Sequence, residues 1–424
     1  MNGARGIVGR LRCGAPRRLL RRGAALLGVV LLGVGVCQLS ALATKPQQAH
    51  YAWRLPENFP MPRVPAGNPM TAAKVEVGRH LFYDVRLSGN ETESCATCHE
   101  QALAFSDGRA RSVGSTGQLT PRGAPSLVNV AYDATLTWAN PALVTLETQI
   151  QVPLFGTMPV ELGINDSNKA QVLARIAREP WYRRAFHRAY PRLRRPVGWK
   201  TIVLSIAAFE RSIISADSLY DRYLRGEAKL TASQTRGMNI FMGEKGECVH
   251  CHGSFLFSDQ ATYAGAPDER PRFHNDGLYN IGGTGAYPAD NTGLFAITGR
   301  AQDMGRFKAP SLRNVALTAP YMHDGSMTTL QEVVAHYAAG GSVITDGPYA
   351  GDARTSPYKD PLISKIDLSE QDQADLVAFL RTLTDHSVTK AKRFSDPFGH
   401  PIRATERARR ASAANKGPKS SMPR

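Results

Sequence analysis

Three stretches of the chain carry a clear hydrophobic pattern. Residues 24–43 form an uncharged, apolar run. Between Ile202 and Leu224, apolar side chains recur at the spacing of one helix face, which predicts a single helix over that range. Further on, Ser369 and Asp372 form a predicted capping box, and the apolar residues after it are spaced i, i+3, i+4 and i+7. We therefore expect an amphipathic helix near the C-terminus.

Glycine and proline interrupt the rest of the chain. The sequence holds 38 Gly and 27 Pro, with a dense group at residues 282–285, and alternating strand patterns are scarce. Long loops normally count against a compact domain, but a buried cofactor supplies apolar contact area that regular structure need not provide. The prediction is a mainly α fold with long loops and little β structure.

Positive charge is concentrated at the two ends of the chain. Of a net charge of +16 over 424 residues, residues 1–43 contribute +7 and residues 390–424 contribute +8. The body is therefore nearly neutral, which argues against nucleic acid as a partner. Arginines within residues 183–195 cluster beside Trp181 and Tyr182, and we interpret them as a solvated helix face or a docking surface for an acidic redox partner. Residues 390–424 are expected to be a basic, disordered tail that contacts a partner or an anionic membrane surface.

The first 43 residues have the features of an export signal. An arginine-rich segment ends at Arg22, the apolar run follows, and Ala41-Leu42-Ala43 offers a cleavage site with small residues. This pattern predicts export to a bacterial periplasm and removal of residues 1–43. An uncleaved membrane anchor is the alternative, because about 20 apolar residues can span a bilayer.

Cysteine occurs almost entirely in two short motifs. Two of the six cysteines lie in the predicted signal, and the other four form Cys95-Ala96-Thr97-Cys98-His99 and Cys248-Val249-His250-Cys251-His252. This is the pattern that attaches c-type haem, with two thioethers and the adjacent His as iron ligand. A zinc or redox cysteine pair is the alternative for a single motif, but 153 positions separate His99 from His252, too far in sequence for one compact zinc motif. We predict two covalently bound haem c groups.

Two motifs indicate two cytochrome c-like haem domains. We place an N-terminal haem domain at residues 44–215 and a C-terminal haem domain at residues 216–389. The segment 1–43 is the predicted signal, and residues 390–424 are the predicted tail.

Several segments resemble the bacterial dihaem cytochrome c peroxidase superfamily. They are residues 78–88, 207–211, 273–275 and, most specifically, 307–326, which contains Ala-Pro-Ser-Leu-Arg-Asn-Val and Ala-Pro-Tyr-Met-His-Asp-Gly. The resemblance covers about residues 55–387. The superfamily includes peroxidases that take electrons from small cytochromes, and MauG-like and MbnH-like enzymes that use peroxide to oxidise a partner protein.

The resemblance implies roles for residues around the first haem. His99 is the proximal ligand, and Glu161 matches the distal carboxylate that moves a proton between the two oxygens of peroxide. Trp138 matches the tryptophan between the haems and is expected to relay oxidising equivalents, although the step from Trp138 to Glu161 is three residues longer than in the family. The alternatives are a solvent-facing Glu and a plain core Trp. No His lies between Asp107 and Trp138, so the first haem is expected to be open without prior reduction.

The second haem is where branches of the superfamily differ. Fourteen residues beyond His323, the peroxidases carry a Met ligand, whereas this chain has Tyr337, as MauG-like enzymes do. A phenolate oxygen is a harder donor than a thioether and favours higher-valent iron. In the alternative, Tyr337 is a buried helix aromatic and a methionine is the ligand: Met304, Met322 or Met327.

The resemblance also suggests a calcium ion and further haem contacts. Backbone oxygens at Thr318 and Pro320 match calcium ligands of the family, but Gly123 stands where the family has an Asn, so calcium is a weaker expectation. Arg313 and His323 are expected to contact propionates or the region between the haems.

Together these features predict a periplasmic dihaem enzyme of the MauG/MbnH-like branch. It reacts with hydrogen peroxide at the N-terminal haem, forms a high-valent dihaem state and oxidises a periplasmic partner protein. One alternative is a conventional dihaem peroxidase that draws electrons from a small cytochrome. The alternative from another class is a non-catalytic dihaem electron carrier.

Overall fold

The structure is a computed structural model that describes residues 51–267 and 271–399. The predicted signal and the tail from residue 400 onward lie outside the described residues. Among the residues that are described, no helix has the length and apolar character needed to cross a membrane.

Helices dominate the described residues, and the prediction of a mainly α fold with little β structure is confirmed. The α-helices are α1 Ala72–Tyr83, α2 Cys95–Cys98, α3 Leu146–Gln149, α4 Gln151–Phe155, α5 Lys169–Arg178, α6 Pro180–Ala189, α7 Trp199–Arg211, α8 Leu219–Leu224, α9 Ala232–Met242, α10 Cys248–His252, α11 Phe295–Thr298, α12 Leu330–Ala338 and α13 Glu370–Arg381.

Short antiparallel strand pairs and single turns of 3₁₀-helix join the helices. Strand β1 (His274–Asn275) pairs with β2 (Arg306–Phe307), and β3 (Val343–Ile344) pairs with β4 (Gly351–Asp352). The 3₁₀ turns are Val85–Leu87, Gln101–Leu103, Val130–Tyr132, Ala301–Asp303, Val315–Leu317, Ala353–Thr355, Pro361–Lys365 and Lys392–Phe394.

Two helix pairs repeat the same close packing. Gly78 of α1 lies directly against the backbone of Ser205 in α7, and Gly237 of α9 lies against the backbone of Asp375 in α13. A side chain at either glycine would collide with the facing helix, so only Gly permits this approach. The pairs place α1 and α7 beside the first Cys-x-x-Cys-His motif and α9 and α13 beside the second.

The predicted single helix over 202–224 is wrong, because the structure divides it. Helix α7 ends at Arg211, where the Ser212 hydroxyl donates to the Phe209 oxygen at 2.6 Å. Ser218 then caps α8 through a hydrogen bond from the Asp221 amide at 3.1 Å. The terminal amphipathic helix is confirmed as α13, and Ser369 and Asp372 form its capping box.

The apolar core divides into two main clusters. The first lies between α1, α5, α6 and α7, and the second lies between α9, α12 and α13. This division follows the predicted order of the haem domains, whose boundaries at residues 215 and 389 stay predictions.

The C-terminal segment returns to the first cluster. Phe394 is only 1% exposed in that cluster, and the Gln101 side chain donates to the backbone oxygens of Val388 at 2.8 Å and Ala391 at 3.1 Å. The Arg79 guanidinium donates to the Ser395 oxygen at 2.7 Å. Residues 388–395 are therefore packed against α1, which differs from a disordered tail that starts at Lys390.

Candidate dihaem site

The first Cys-x-x-Cys-His motif opens onto a cavity of about 440 Å³. Its lining includes every residue predicted for the first haem: Cys95, Cys98, His99, Trp138 and Glu161. Most of the exposed lining is apolar, as the faces of a porphyrin require. The cavity therefore fits a haem attached at one edge, with a carboxyl and an indole on its walls.

Local hydrogen bonds set the orientation of the first motif. Ser94 and Thr97 form a capping box that starts α2 at Cys95. The Nδ1 of His99 lies 2.8 Å from the backbone oxygen of Phe105, which leaves Nε2 as the ring nitrogen that can bind iron. Burial lowers the pKa of His99 to about 4, so the imidazole is neutral at physiological pH, as a metal ligand must be.

The Glu161 carboxyl lies in the wall of this cavity and is largely shielded from solvent. Burial raises the pKa of Glu161 to about 6. The loop that carries it is tied to residues 115–118: the Ser115 amide donates to the Glu161 backbone oxygen at 2.7 Å, and the Val160 amide donates to Gln118 Oε1 at 3.0 Å. A carboxyl on a loop that is fixed in place, with a pKa near neutrality, can accept and return a proton.

A second acid in the same cavity escaped prediction. Glu210, in the last turn of α7, lines the cavity, is only 5% exposed, and its Oε2 makes no hydrogen bond with the described residues. Burial raises the pKa of Glu210 to about 8. The available signal was an acidic residue next to the apolar stripe of α7, in the segment Ala-Ala-Phe-Glu-Arg.

Trp138 lies where two cavities meet. It lines the 440 Å³ cavity and also a neighbouring one of about 110 Å³. Its indole Nε1 donates to the Gly123 oxygen at 3.0 Å, and its backbone oxygen accepts from the Lys308 amide at 2.9 Å. The ring is thus fixed between residues of the N-terminal and C-terminal halves.

The second motif repeats the geometry of the first. Cys248, Cys251 and His252 lie on α10, and Nδ1 of His252 is 3.1 Å from the Phe257 oxygen. Burial lowers the pKa of His252 and raises that of Cys248 to about 12, so the imidazole and that thiol are both neutral. Each motif therefore directs its His by a backbone oxygen a few residues downstream.

Tyr337, the predicted ligand of the second haem, lies on α12. Burial, and after it the carboxyl of Asp276, holds the pKa of Tyr337 well above its usual value. The ligand role of this phenol stays a prediction. The alternative ligands Met304, Met322 and Met327 pack beside Tyr287 and Phe307 in a separate cluster with Trp138.

His323 has polar atoms that the described residues do not satisfy. Its ring stacks on Phe307 with centroids 3.6 Å apart, is 2% exposed, and neither ring nitrogen makes a hydrogen bond with the described residues. Burial lowers the pKa of His323 to about 3. Buried unpaired nitrogens are costly, so this side chain fits a polar group of a bound cofactor.

Arg313, which is predicted to contact haem propionates or the region between the haems, is bonded to protein groups in the structure. Its guanidinium makes a bidentate pair with Asp221 at 2.9 Å for both bonds, and its Nε donates to the Phe255 oxygen at 2.7 Å. Its contacts among the described residues are thus protein groups, which anchor α8.

Thr318 and Pro320, the predicted calcium ligands, line the smaller cavity together with Gly123 and Trp138. The Gly123 oxygen already accepts the indole bond, and the nearby Asp133 carboxylate is paired with Lys308 at 2.7 Å. Calcium binding at this position stays a prediction.

A duplicated sequence supports the two motifs. Residues 124–130 and 309–315 both read Ala-Pro-Ser-Leu-x-Asn-Val. Ser126 donates to the Ala104 oxygen at 2.6 Å, Ser311 donates to the Leu256 oxygen at 2.7 Å, and the Asn of each copy has a φ of 62°. This repeat, which the sequence analysis did not use, marks the segment packed behind each haem motif.

An apolar cavity at the first motif, and the same cysteine pair with an oriented histidine at the second, fit a dihaem c-type protein. Residues 72–229 match the family described as di-haem cytochrome c peroxidase, CCP_MauG. Cytochrome-c peroxidase IdrP1 of Denitromonas iodatirespirans is 34% identical over 378 residues, which cover 85% of this chain and 94% of the relative. The chain belongs to the di-haem cytochrome c peroxidase family, and it is a dihaem oxidoreductase that acts on peroxide.

Other relatives belong to the MauG group. Methylamine utilization protein MauG of Methylorubrum extorquens is 33% identical over 332 residues, covering 78% of this chain and 83% of MauG. The crystal structure of a MauG-like protein associated with microbial copper homeostasis is 55% identical, with a TM-score of 0.81 and coverage of 82% of this chain and 99% of that one. The predicted resemblance is thereby confirmed at the level of the family.

Proposed function

We propose that the chain is a periplasmic enzyme of the MauG/MbnH-like branch. Hydrogen peroxide reacts in the first cavity, and oxidising equivalents leave through Trp138 and the second haem site to a partner protein. The observation that carries this choice is Tyr337 on α12, fourteen positions beyond His323. A tyrosine there replaces the methionine expected of a conventional peroxidase. The alternative methionine ligands pack in a separate cluster with Trp138.

The first cavity supplies the groups that peroxide chemistry needs. Cys95 and Cys98 would hold haem c through thioethers, with His99 as the iron ligand. Haem bound in this way supplies redox-active iron that takes up oxidising equivalents from peroxide. Glu161 is mostly ionised at neutral pH because the pKa is about 6, so it can accept a proton from one peroxide oxygen and deliver it to the other, which leaves as water.

Trp138 is the proposed relay between the two sites. It borders the first cavity and the small cavity beside Met322 and Tyr321, and its indole is held by the bond to Gly123. A large oxidisable ring fixed at that boundary shortens each electron step between the halves. Cys248, Cys251 and His252 would hold the second haem, and Tyr337 would supply a phenol oxygen to its iron.

The partner is proposed to be an exported protein with an oxidisable aromatic residue. The 55% identity to a MauG-like protein associated with microbial copper homeostasis supports a role of this chain in copper homeostasis. Export rests on the signal pattern of residues 1–43. Calcium is not part of the proposed mechanism.

The ligand of the second haem tests the proposal directly. In the full holoprotein, Tyr337→Phe is expected to replace the low-spin ferric EPR signal of the second haem by a high-spin signal. Met322→Leu, and the same change at Met304 or Met327, should leave the spectrum unchanged. A methionine variant that alters the signal while Tyr337→Phe does not would overturn the assignment.

A conventional peroxidase is the second candidate, because relatives named cytochrome c peroxidase are as similar as MauG. It predicts rapid peroxide-dependent oxidation of a reduced small cytochrome. We expect the wild-type protein to turn over such a donor slowly and Tyr337→Met to increase the rate.

A further inference from the structure

We propose that Glu244, Glu247 and His250 form a binding site for a divalent transition-metal ion such as Zn²⁺. His250 occupies a variable position of the second haem motif, and none of the three residues is assigned to either haem. One ligand atom from each residue lies within 4.8 Å of the other two. The set contains one imidazole nitrogen and two carboxylates, which are ordinary zinc ligands.

The two distances from the His250 nitrogen to the carboxylate oxygens are those of ligands that share an ion. His250 Nε2 is 3.1 Å from Glu247 Oε2 and 3.5 Å from Glu244 Oε2. With metal–ligand bonds of about 2.0–2.1 Å in tetrahedral geometry, neighbouring donors lie about 3.4 Å apart. The observed separations bracket that value.

Glu247 provides an independent sign of a ligand. Its side chain is only 8% exposed, and its Oε2 is buried without a hydrogen bond from the described residues. The close ring nitrogen of His250 is thus not aligned as a hydrogen-bond donor to that oxygen. A nitrogen and an oxygen that approach closely without pointing at each other can both point at a third atom between them.

The loop between α9 and α10 holds the ligands on one side. Glu247 has a φ of 52°, a left-handed conformation that turns the chain just before Cys248. Lys245 is drawn away to Asp372 of α13 by an ion pair of 2.6 Å, so its positive charge is directed to that helix. Glu244 is 84% exposed, which gives an ion and its completing waters access from solvent.

Another group of potential ligands in the described residues is explained without an ion. Cys251 is an attachment cysteine, and His274 already uses both ring nitrogens, at 2.8 Å from Asp259 and 2.9 Å from Asp360. No nitrogen lone pair remains for a metal there. His250 is not a haem-attachment residue, and the carboxylates of Glu244 and Glu247 both approach the same ring nitrogen, Nε2.

Isothermal titration calorimetry of the tag-free, full-length holoprotein with Zn²⁺ tests the site. We expect one site whose affinity falls at least tenfold in His250→Ala and in Glu244→Gln. Both side chains are more exposed than Glu247, so these variants should fold. His386→Ala, at another exposed histidine, is the matched control and should bind Zn²⁺ as the wild type does.

Because the variants keep both haem motifs, their haem spectra should remain those of the wild type. Unchanged Zn²⁺ affinity in His250→Ala and Glu244→Gln, or an equal loss in His386→Ala, would overturn the assignment. Neither result would affect the proposed peroxide chemistry, since none of these residues takes part in it.

Discussion

The indole of Trp138 donates a hydrogen bond of 3.0 Å to the backbone oxygen of Gly123. The bond links the ring to the loop that lines both cavities. The contact therefore positions the proposed relay.

Replacing Trp138 by Phe should separate peroxide consumption from long-range oxidation. We expect peroxide to react at the first haem at nearly the wild-type rate, while oxidation of the second haem falls by at least tenfold, because phenylalanine is far harder to oxidise. Stopped-flow spectra that resolve the two haems measure both steps. Trp53→Phe, a partly buried tryptophan outside both cavities, is the control. Equal rates in all three proteins would rule out the relay.

Replacing Glu161 by Gln should slow the reaction with peroxide by about 100-fold or more, the usual size of general acid–base catalysis. The active form is the carboxylate, and its pKa is about 6, so the wild-type rate constant should rise between pH 5 and 7 and then level off. This rise of the rate constant with pH should be absent in the variant. Glu57→Gln, at an exposed position, should retain the wild-type profile. A rise with pH that persists in Glu161→Gln would assign the proton transfer elsewhere.

Glu210 should make stability depend on pH. Its pKa is about 8 in the folded protein and near 4.5 when unfolded, so the folded state binds more protons between these values. The free energy of unfolding must then fall as pH rises from about 4.5 to 8, by up to about 1.4 kcal/mol per pH unit from this group. Glu210→Gln should flatten that dependence, as measured by denaturant titration of the holoprotein at pH 5 and pH 8. If the free energy of unfolding changed with pH equally in the variant and the wild type, Glu210 would not be a buried, protonated acid.

The contact of Phe394 with the first core cluster should be important for stability. Phe394→Ala removes a ring that is 1% exposed, and core Phe→Ala changes cost about 3–5 kcal/mol. Lys392→Ala, two positions away and exposed, should change the free energy of unfolding by less than about 0.5 kcal/mol. Urea titration followed by circular dichroism measures both. Similar midpoints for the two variants would show that the segment does not stabilise the fold.

Features encoded within a few neighbouring residues were predictable. The haem motifs need only five residues each, and the capping box of Ser369 and Asp372 is local to α13. The start of α8 also has a local signal, the capping box of Ser218 and Asp221. The course of residues 215–217 was not predictable, since it depends on Asp385. The carboxylate of Asp385 accepts from the Ser215 hydroxyl at 3.1 Å and from the amides of Ala216 and Asp217 at 3.2 Å each.

The remaining site features depend on burial that arises only in three dimensions. Glu210 adjoins an apolar stripe, but nothing in its neighbours shows that a cavity faces it. Phe394 is an aromatic residue in a basic segment, and its partner Phe105 lies almost 300 positions earlier. The ligand role of Tyr337 and the proton role of Glu161 stay predictions, although Glu161 lines the cavity of the first motif.

Mixing the fully oxidised holoprotein with one equivalent of hydrogen peroxide, without any reductant, tests the central claim most directly. Stopped-flow absorbance should show that the Soret bands of both haems change within one fast phase, because the first site is open and Trp138 connects it to the second. A spectrum that stays ferric until one haem has been reduced would contradict the account and would identify a conventional peroxidase.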